Sequence, residues 1–182
     1  LFFIFLVKKK NFLINKKTSF FYGWLFGFGY FLTNLYWISI SLTFDVNFKF
    51  LIPFSVILIP AFLAIFYGLV TFFLFFLNLR KIVSLFFSFS LLFGLIEFLR
   101  GLILTGFPWN LIVFSFFNHP EILQIISVIG TYAFNLFCIS LFISPAVFIL
   151  RDARRDIIIC ILFLLTPIIL YMNGSLKIKN FQ

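Results

Sequence analysis

IVSLFFSFSLLFGLIEFLRGLILTGFPWN, residues 82–110, decides what kind of molecule this is. No charged residue occurs from Ile82 to Ile96, and the apolar run resumes past Arg100 as far as Thr105. A helix needs about 20 apolar residues to cross the hydrocarbon of a bilayer, so a membrane helix is expected over 82–105. Two features of the stretch need explaining. Glu97 and Arg100 lie near the end of that helix, and Gly-Phe-Pro-Trp follows it directly.

The rest of the chain has the same character. Of 182 residues, 64% are hydrophobic and 10% charged, with a mean hydropathy of +1.21. A soluble domain is about half apolar and a quarter charged, so this is not a water-soluble core. Phenylalanine contributes 34 residues. Phe, Ile, Leu and Val are all inexpensive in lipid, so no single Phe is read as functional by itself.

Further apolar segments fall at 19–42, 51–78, 122–149 and 156–172, each separated by polar or charged residues. Residues 1–7, LFFIFLV, read as the last turns of another helix whose beginning precedes the chain. A signal peptide fits poorly there, because the lysines follow the apolar run instead of preceding it. The expected fold is all-α: one polytopic transmembrane helix bundle over residues 1–182, with five complete spans and a truncated N-terminal one. The expectation extends to a further domain that would follow residue 182.

Lysine and arginine placement gives the orientation. Lys8, Lys9, Lys10, Lys16, Lys17, Arg80, Lys81, Arg151, Arg154 and Arg155 fall in one set of loops, and only Lys49, Lys177 and Lys179 in the other. The positive-inside rule assigns the first set to the cytoplasm, so the 43–50 loop, the 106–121 loop and the C-terminus face outward. The same distribution argues against nucleic acid, despite a formal charge of +9. The basic residues flank membrane spans and do not interleave with aromatic residues on a soluble face.

Cys138 and Cys160 lie inside apolar runs, and their spacing suits no metal site. With His119 as the one histidine, neither a metal centre nor a Cys-His dyad is expected. Buried small hydrophobes are the simpler assignment. Gly23 and Gly27 form a small-xxx-small pair that lets a neighbouring backbone approach, with Gly29 nearby. Pro53, Pro60, Pro145 and Pro167 sit within spans, where neighbouring helices can satisfy the carbonyls they free.

Glu97 and Arg100 are three apart and share a helix face with Gly101 and Leu104. Counted from Thr105 at 1.5 Å per residue, Arg100 lies ~7 Å below the outer end of the helix and Glu97 ~12 Å. At that depth Arg100 can snorkel outward, whereas Glu97 needs a partner. The pair either neutralises itself and braces helix contacts, or lines an outward-opening polar pocket that faces a charged headgroup. Gly106 and Pro108 end the helix. Trp109 then stands at interface depth, where it anchors the chain or walls a site. LIVFSFF (111–117) is too short to span and is expected to lie in the interface or re-enter.

EFLRGLILTGFPWNL (97–111) resembles the signature of apolipoprotein N-acyltransferase, a bacterial inner-membrane enzyme. GWLFGFGYFLTNLYWISISLTF (23–44) is similar to the family's third membrane helix, with Trp37 and Ser39 on its Trp-containing stretch. PEILQIISVIGTYAFNLF (120–137) resembles the segment after GFPW, with Gly130 and Asn135 at recurrent positions. The resemblance implies eight membrane helices with a nitrilase-like α/β domain inserted on the outer face. This chain would cover the tail of the second helix through the seventh. The family's Glu-Lys-Cys triad belongs to that domain; Cys138, Cys160 and Glu97 do not match it, so no catalytic residue is placed here.

What the resemblance implies chemically is acyl transfer from a membrane phospholipid, through a thioester, to the α-amine of a diacylated apolipoprotein. It implies no cofactor, and a nitrilase-like domain acting in cis or in trans. Glu97, Arg100, Phe107, Pro108, Trp109 and Trp37 are the candidate substrate-binding residues, with the C-terminus facing the periplasm. A non-catalytic membrane subunit, a gene remnant and a small transporter are the alternatives. One near-surface charge pair and no internal repeat argue against a transport path.

Overall fold

In hydrocarbon each backbone N–H and C=O has to be satisfied without water, which leaves helices or closed barrels as the available spanning structures. The computed structural model is helical, with no strand among the described residues. It describes residues 1–8, 15–77, 79, 81–104 and 110–180, the side chain of Asn180 excepted. The α-helices are α1 (Phe2–Lys8), α2 (Lys16–Leu35), α3 (Ile38–Ser41), α4 (Ile52–Phe76), α5 (Ile82–Ile103), α6 (Pro120–Leu123), α7 (Ile126–Ile129), α8 (Thr131–Leu150) and α9 (Arg154–Asn180). Short 3-10 segments occupy Val46–Leu51 and Ile112–Phe116. The helices divide into two units, Lys9–Asn78, and Leu1–Lys8 with Leu79–Gln182.

The first unit is an antiparallel pair, α2 on α4. Its contact is made by small residues, since helix association in lipid depends on close packing and interhelical hydrogen bonds. Gly23 lies so near α4 that a Cβ there would fall on the Thr71 hydroxyl and the Tyr67 carbonyl, and Gly27 meets Tyr67 and Ala64. Gly29, by contrast, faces open space. One turn before Gly23 the helices exchange hydroxyls. Ser19 Oγ donates to the Thr71 carbonyl at 2.8 Å, and Thr71 Oγ1 donates to the Ser19 carbonyl at 2.7 Å. Trp24 Nε1–H adds a bond to the Ala61 carbonyl at 3.0 Å. The rings of Phe26, Tyr30 and Phe31 close around Tyr67.

In the second unit α5 and α8 run antiparallel. Gly94 abuts Leu136 and Gly101 abuts Tyr132, so rising numbers on one helix meet falling numbers on the other. α9 joins them through Phe163, which packs edge-on to Phe86 of α5 and stacks on Phe137 of α8. α1 adds Phe3 against Phe89. Near the far end of α9, Gly174 sits directly on the Glu121 carbonyl of α6.

Among the described residues four helices are long and apolar enough to cross a membrane: Val46–Phe76, Ile82–Ile103, Thr131–Leu150 and Arg154–Lys179. Helices α4 and α5 lie within the segments expected at 51–78 and 82–105. The helix at 19–42 ends early. α2 has the length but falls short in hydropathy, because glycines, Thr33 and Asn34 dilute its aromatic residues. It also stops at Leu35. Ser39, Ser41 and Thr43 each donate a hydroxyl to the carbonyl three residues back, and the backbone bonds bordering α3 are i to i−3. Such side chains compete with the helical ladder and tighten it into turns.

The span expected at 122–149 is also divided. α6 and α7 occupy 120–129, and Gly130, at φ 81°, breaks the chain before α8 begins. The segment expected at 156–172 lies within a longer helix, Arg154–Asn180.

Candidate functional site

Buried positions on α5 recur at three- and four-residue steps: Leu85, Phe86, Phe89, Phe93, Ile96, then Glu97 and Arg100. Between them Phe87, Leu91, Leu95, Phe98, Leu99 and Leu102 are exposed. The two charges are therefore in phase with the packing stripe and turn away from the lipid-facing side of their helix. Arg100 Nη2 donates to Glu97 Oε2 at 3.0 Å, and the two side chains are 3% and 0% exposed. Arg100 thus turns inward to Glu97 and does not snorkel to the surface. Two causes favour this. The carboxylate one turn earlier offers a charge-assisted hydrogen bond, and the last turn of a helix attracts a cation.

Tyr132, at the start of α8, lies over this turn. Its hydroxyl fills the space that a side chain on Gly101 would need, and its ring meets Phe98 edge-on at 5.2 Å. Sequence reasoning did not single out Tyr132. The signal was present in Gly101: a glycine on the buried stripe directly after Arg100 marks a close approach from a neighbouring helix.

Phe107, Pro108 and Trp109, with Gly106, lie outside the described residues. The chain is described again at Asn110, whose φ of 53° is left-handed, a conformation that Asn tolerates better than most residues. The expected interfacial segment 111–117 then forms the Ile112–Phe116 3-10 helix. It is tied down by one side chain: the Val113 N–H donates to Asn135 Oδ1 of α8 at 3.0 Å. A buried N–H without such a partner costs about 1–3 kcal/mol. Leu111 and Val113 pack with Ile122, Phe134 and Cys138 beneath it. α8 thus contributes Tyr132 over the Glu97–Arg100 turn and, three residues on, Asn135 under the segment that leaves GFPWN.

Trp37 belongs to the other unit, where it is 53% exposed between α2 and α3. Cys138 and Cys160 are free and buried, as the sequence suggested. Among the described residues no group of three or more His, Cys, Asp or Glu side chains could hold a metal ion.

Residues 1–144 match the family described as Apolipoprotein N-acyltransferase N-terminal domain. The chain is 37% identical over 148 residues to an apolipoprotein N-acyltransferase of Rhizobium rhizogenes, covering 79% of this chain and 27% of that protein. One from Brucella suis is 39% identical over 68% of this chain and 23% of its own length. One from Rhodopseudomonas palustris is 40% identical over 70% and 24%. The chain thus spans about a quarter of the length of the curated relatives it matches. No solved structure matches it. With the family's N-terminal domain covering most of its residues, and relatives this similar along the same stretch, the chain belongs to the apolipoprotein N-acyltransferase family.

Proposed function

We propose that this chain is the membrane part of an enzyme that moves an acyl chain from a phospholipid to the N-terminal amine of a diacylglyceryl-cysteine lipoprotein. The bond-making chemistry is assigned to a nitrilase-like domain acting in cis or in trans. Cys138 and Cys160 are buried in helices and unsuited to form a thioester with an arriving lipid. The task left to the membrane part is positioning. Both substrates are anchored in lipid, and holding two reactants in register contributes substantially to rate.

The observation that carries this reading is the buried Glu97–Arg100 pair at the end of α5, with GFPWN following shortly after in the sequence. In this proposal Phe107, Pro108 and Trp109 wall a lateral entrance at the outer leaflet, and Trp37, in the other unit, makes a substrate contact of its own. Glu97 and Arg100 hold the last turn of α5 beneath it. A second reading, in which the pair only braces the helices, draws support from its near-complete burial.

The proposal further takes α2 as a fifth crossing. Its polar contact groups, Ser19, Trp24 and Thr71, are hydrogen-bonded across the pair with α4, which lowers the cost of its modest hydropathy. The inner membrane with an outward C-terminus is the location it implies.

The test is acyl transfer by the complete acyltransferase carrying this membrane part, reconstituted with phospholipid and a diacylated peptide. Trp109→Ala is expected to slow at least one half-reaction by about tenfold or more, in keeping with the loss of a positioning wall. Wild-type rates for both the formation and the discharge of the thioester would remove the entrance role.

A further inference from the structure

The α2–α4 pair has a feature that acyl transfer does not use. Lys16 and Lys17 border a cleft of about 360 Å³ whose remaining wall is Phe20, Leu69 and Phe72. The Phe20 ring lies against Gly68, where a Cβ would come within 2.7 Å of it. Ser19 and Thr71, next along the two helices, spend their hydroxyls on each other's carbonyls. The interior therefore suits hydrocarbon, and the polar recognition is confined to the two lysines.

Within their own unit those lysines have little acidic compensation. Between residues 9 and 78 the sequence has one acidic residue, Asp45. It precedes α4, at the opposite end of the hairpin from Lys16, and its carboxylate accepts from the Asn47 N–H. Among the described residues neither Lys16 nor Lys17 forms an ion pair, and both are exposed. Two cations beside an apolar cleft select a ligand with an anion joined to a hydrocarbon chain. A free phosphate would leave the aromatic wall unused, and a zwitterionic lipid would bring its own cation to the lysines. Basic pockets between membrane helices recognise anionic headgroups in this way.

We propose that this cleft holds an anionic phospholipid, with its phosphodiester on Lys16 and Lys17 and one acyl chain against Phe20, Leu69 and Phe72. The lipid is a retained ligand of the α2–α4 pair, independent of any acyl donor.

Native mass spectrometry of the purified chain, titrated with phosphatidylglycerol or phosphatidylcholine, tests it. The wild type is expected to retain phosphatidylglycerol at least tenfold more strongly than phosphatidylcholine. Lys16→Gln with Lys17→Gln should lower that affinity roughly thirtyfold, from two headgroup contacts. Both positions are exposed, so the fold has no reason to change. Leu69→Trp, which fills the cleft and keeps both charges, should also release the lipid. Lys177→Gln with Lys179→Gln, an equal loss of charge on α9, should leave retention at the wild-type level. Equal retention of the two lipids would overturn the proposal, as would a Leu69→Trp variant that binds normally. So would a Lys177/Lys179 variant as weak as the Lys16/Lys17 one. Displacement by glycerophosphoglycerol at the concentration needed for intact lipid would do the same, since the chains would then contribute nothing.

Discussion

Replacing Arg100 alone by leucine is expected to destabilise the fold by about 3–5 kcal/mol, because it removes the guanidinium that compensates the buried Glu97 carboxylate. Replacing Glu97 and Arg100 together by leucine should cost far less, within about 1 kcal/mol of the wild type, since no charge is then left behind. The midpoint of unfolding in mixed micelles would measure both. The pair of variants also separates the two roles of the site. If the double variant folds and the complete enzyme carrying it transfers acyl chains at the wild-type rate, the ion pair is a brace and nothing more. If it folds and transfer falls by tenfold or more, the charges act on the substrates or on the turn that holds them. Equal destabilisation by the single and double changes would contradict the burial on which both readings rest.

The second large effect is expected at Gly23. Gly23→Leu puts a side chain where Thr71 Oγ1 and the Tyr67 carbonyl already lie, and a backbone carbonyl cannot rotate aside. Overpacking of this kind costs about 1–3 kcal/mol, occasionally more. The reciprocal Ser19–Thr71 bonds one turn away would be lost with it, at around 0.6 kcal/mol each. Gly29→Leu is the matched control, since its Cβ would meet nothing within 4 Å. Cysteine cross-linking between α2 and α4 should fail in the first variant and persist in the second. Loss of cross-linking in both would mean that helix propensity, and not close approach, governs this pair.

How far sequence alone reached differs from segment to segment, for physical reasons. α4 and α5 were legible because their hydropathy ends abruptly, at Phe50–Leu51 after Lys49 and at Arg80–Lys81. The in-phase placement of Glu97 and Arg100 was legible from their spacing. That Arg100 turns inward was not, because the depth of a residue fixes how far it could reach and not what it finds nearer by. The break at Gly130 was hidden for a related reason. PEILQIISVIG is apolar throughout after Glu121, apart from Gln124 and Ser127, and hydropathy does not distinguish two short helices from one long one.

The helices α2 and α9 depart from the expected segments in opposite directions, one ending early and one running on. At α2 the hydroxyls of Ser39, Ser41 and Thr43 compete for backbone carbonyls and shorten the helix. At α9 the Asn173–Gly174–Ser175 run looks like a stop. Gly174 is there for contact with Glu121, and Asn173 caps nothing, donating instead to the Ile169 carbonyl within the helix. Both outcomes depend on what a side chain meets, which no single-sequence pattern contains.

α9 has a further consequence through its length. It runs for 27 residues, with Pro167 inside it. At 1.5 Å per residue that is a rod of about 40 Å, close to the full thickness of a bilayer with its headgroups, about 40–45 Å. Arg154 and Arg155 stand at one tip and Lys177 and Lys179 at the other. Charges anchored at two water boundaries fix the height of such a rod, and a helix cannot shorten when the membrane thins. It leans instead. Gly174 rests on the Glu121 carbonyl of α6, just ahead of the break at Gly130, and Phe163 packs on α5 and α8. A change in bilayer thickness is therefore expected to be felt first at these contacts of α9.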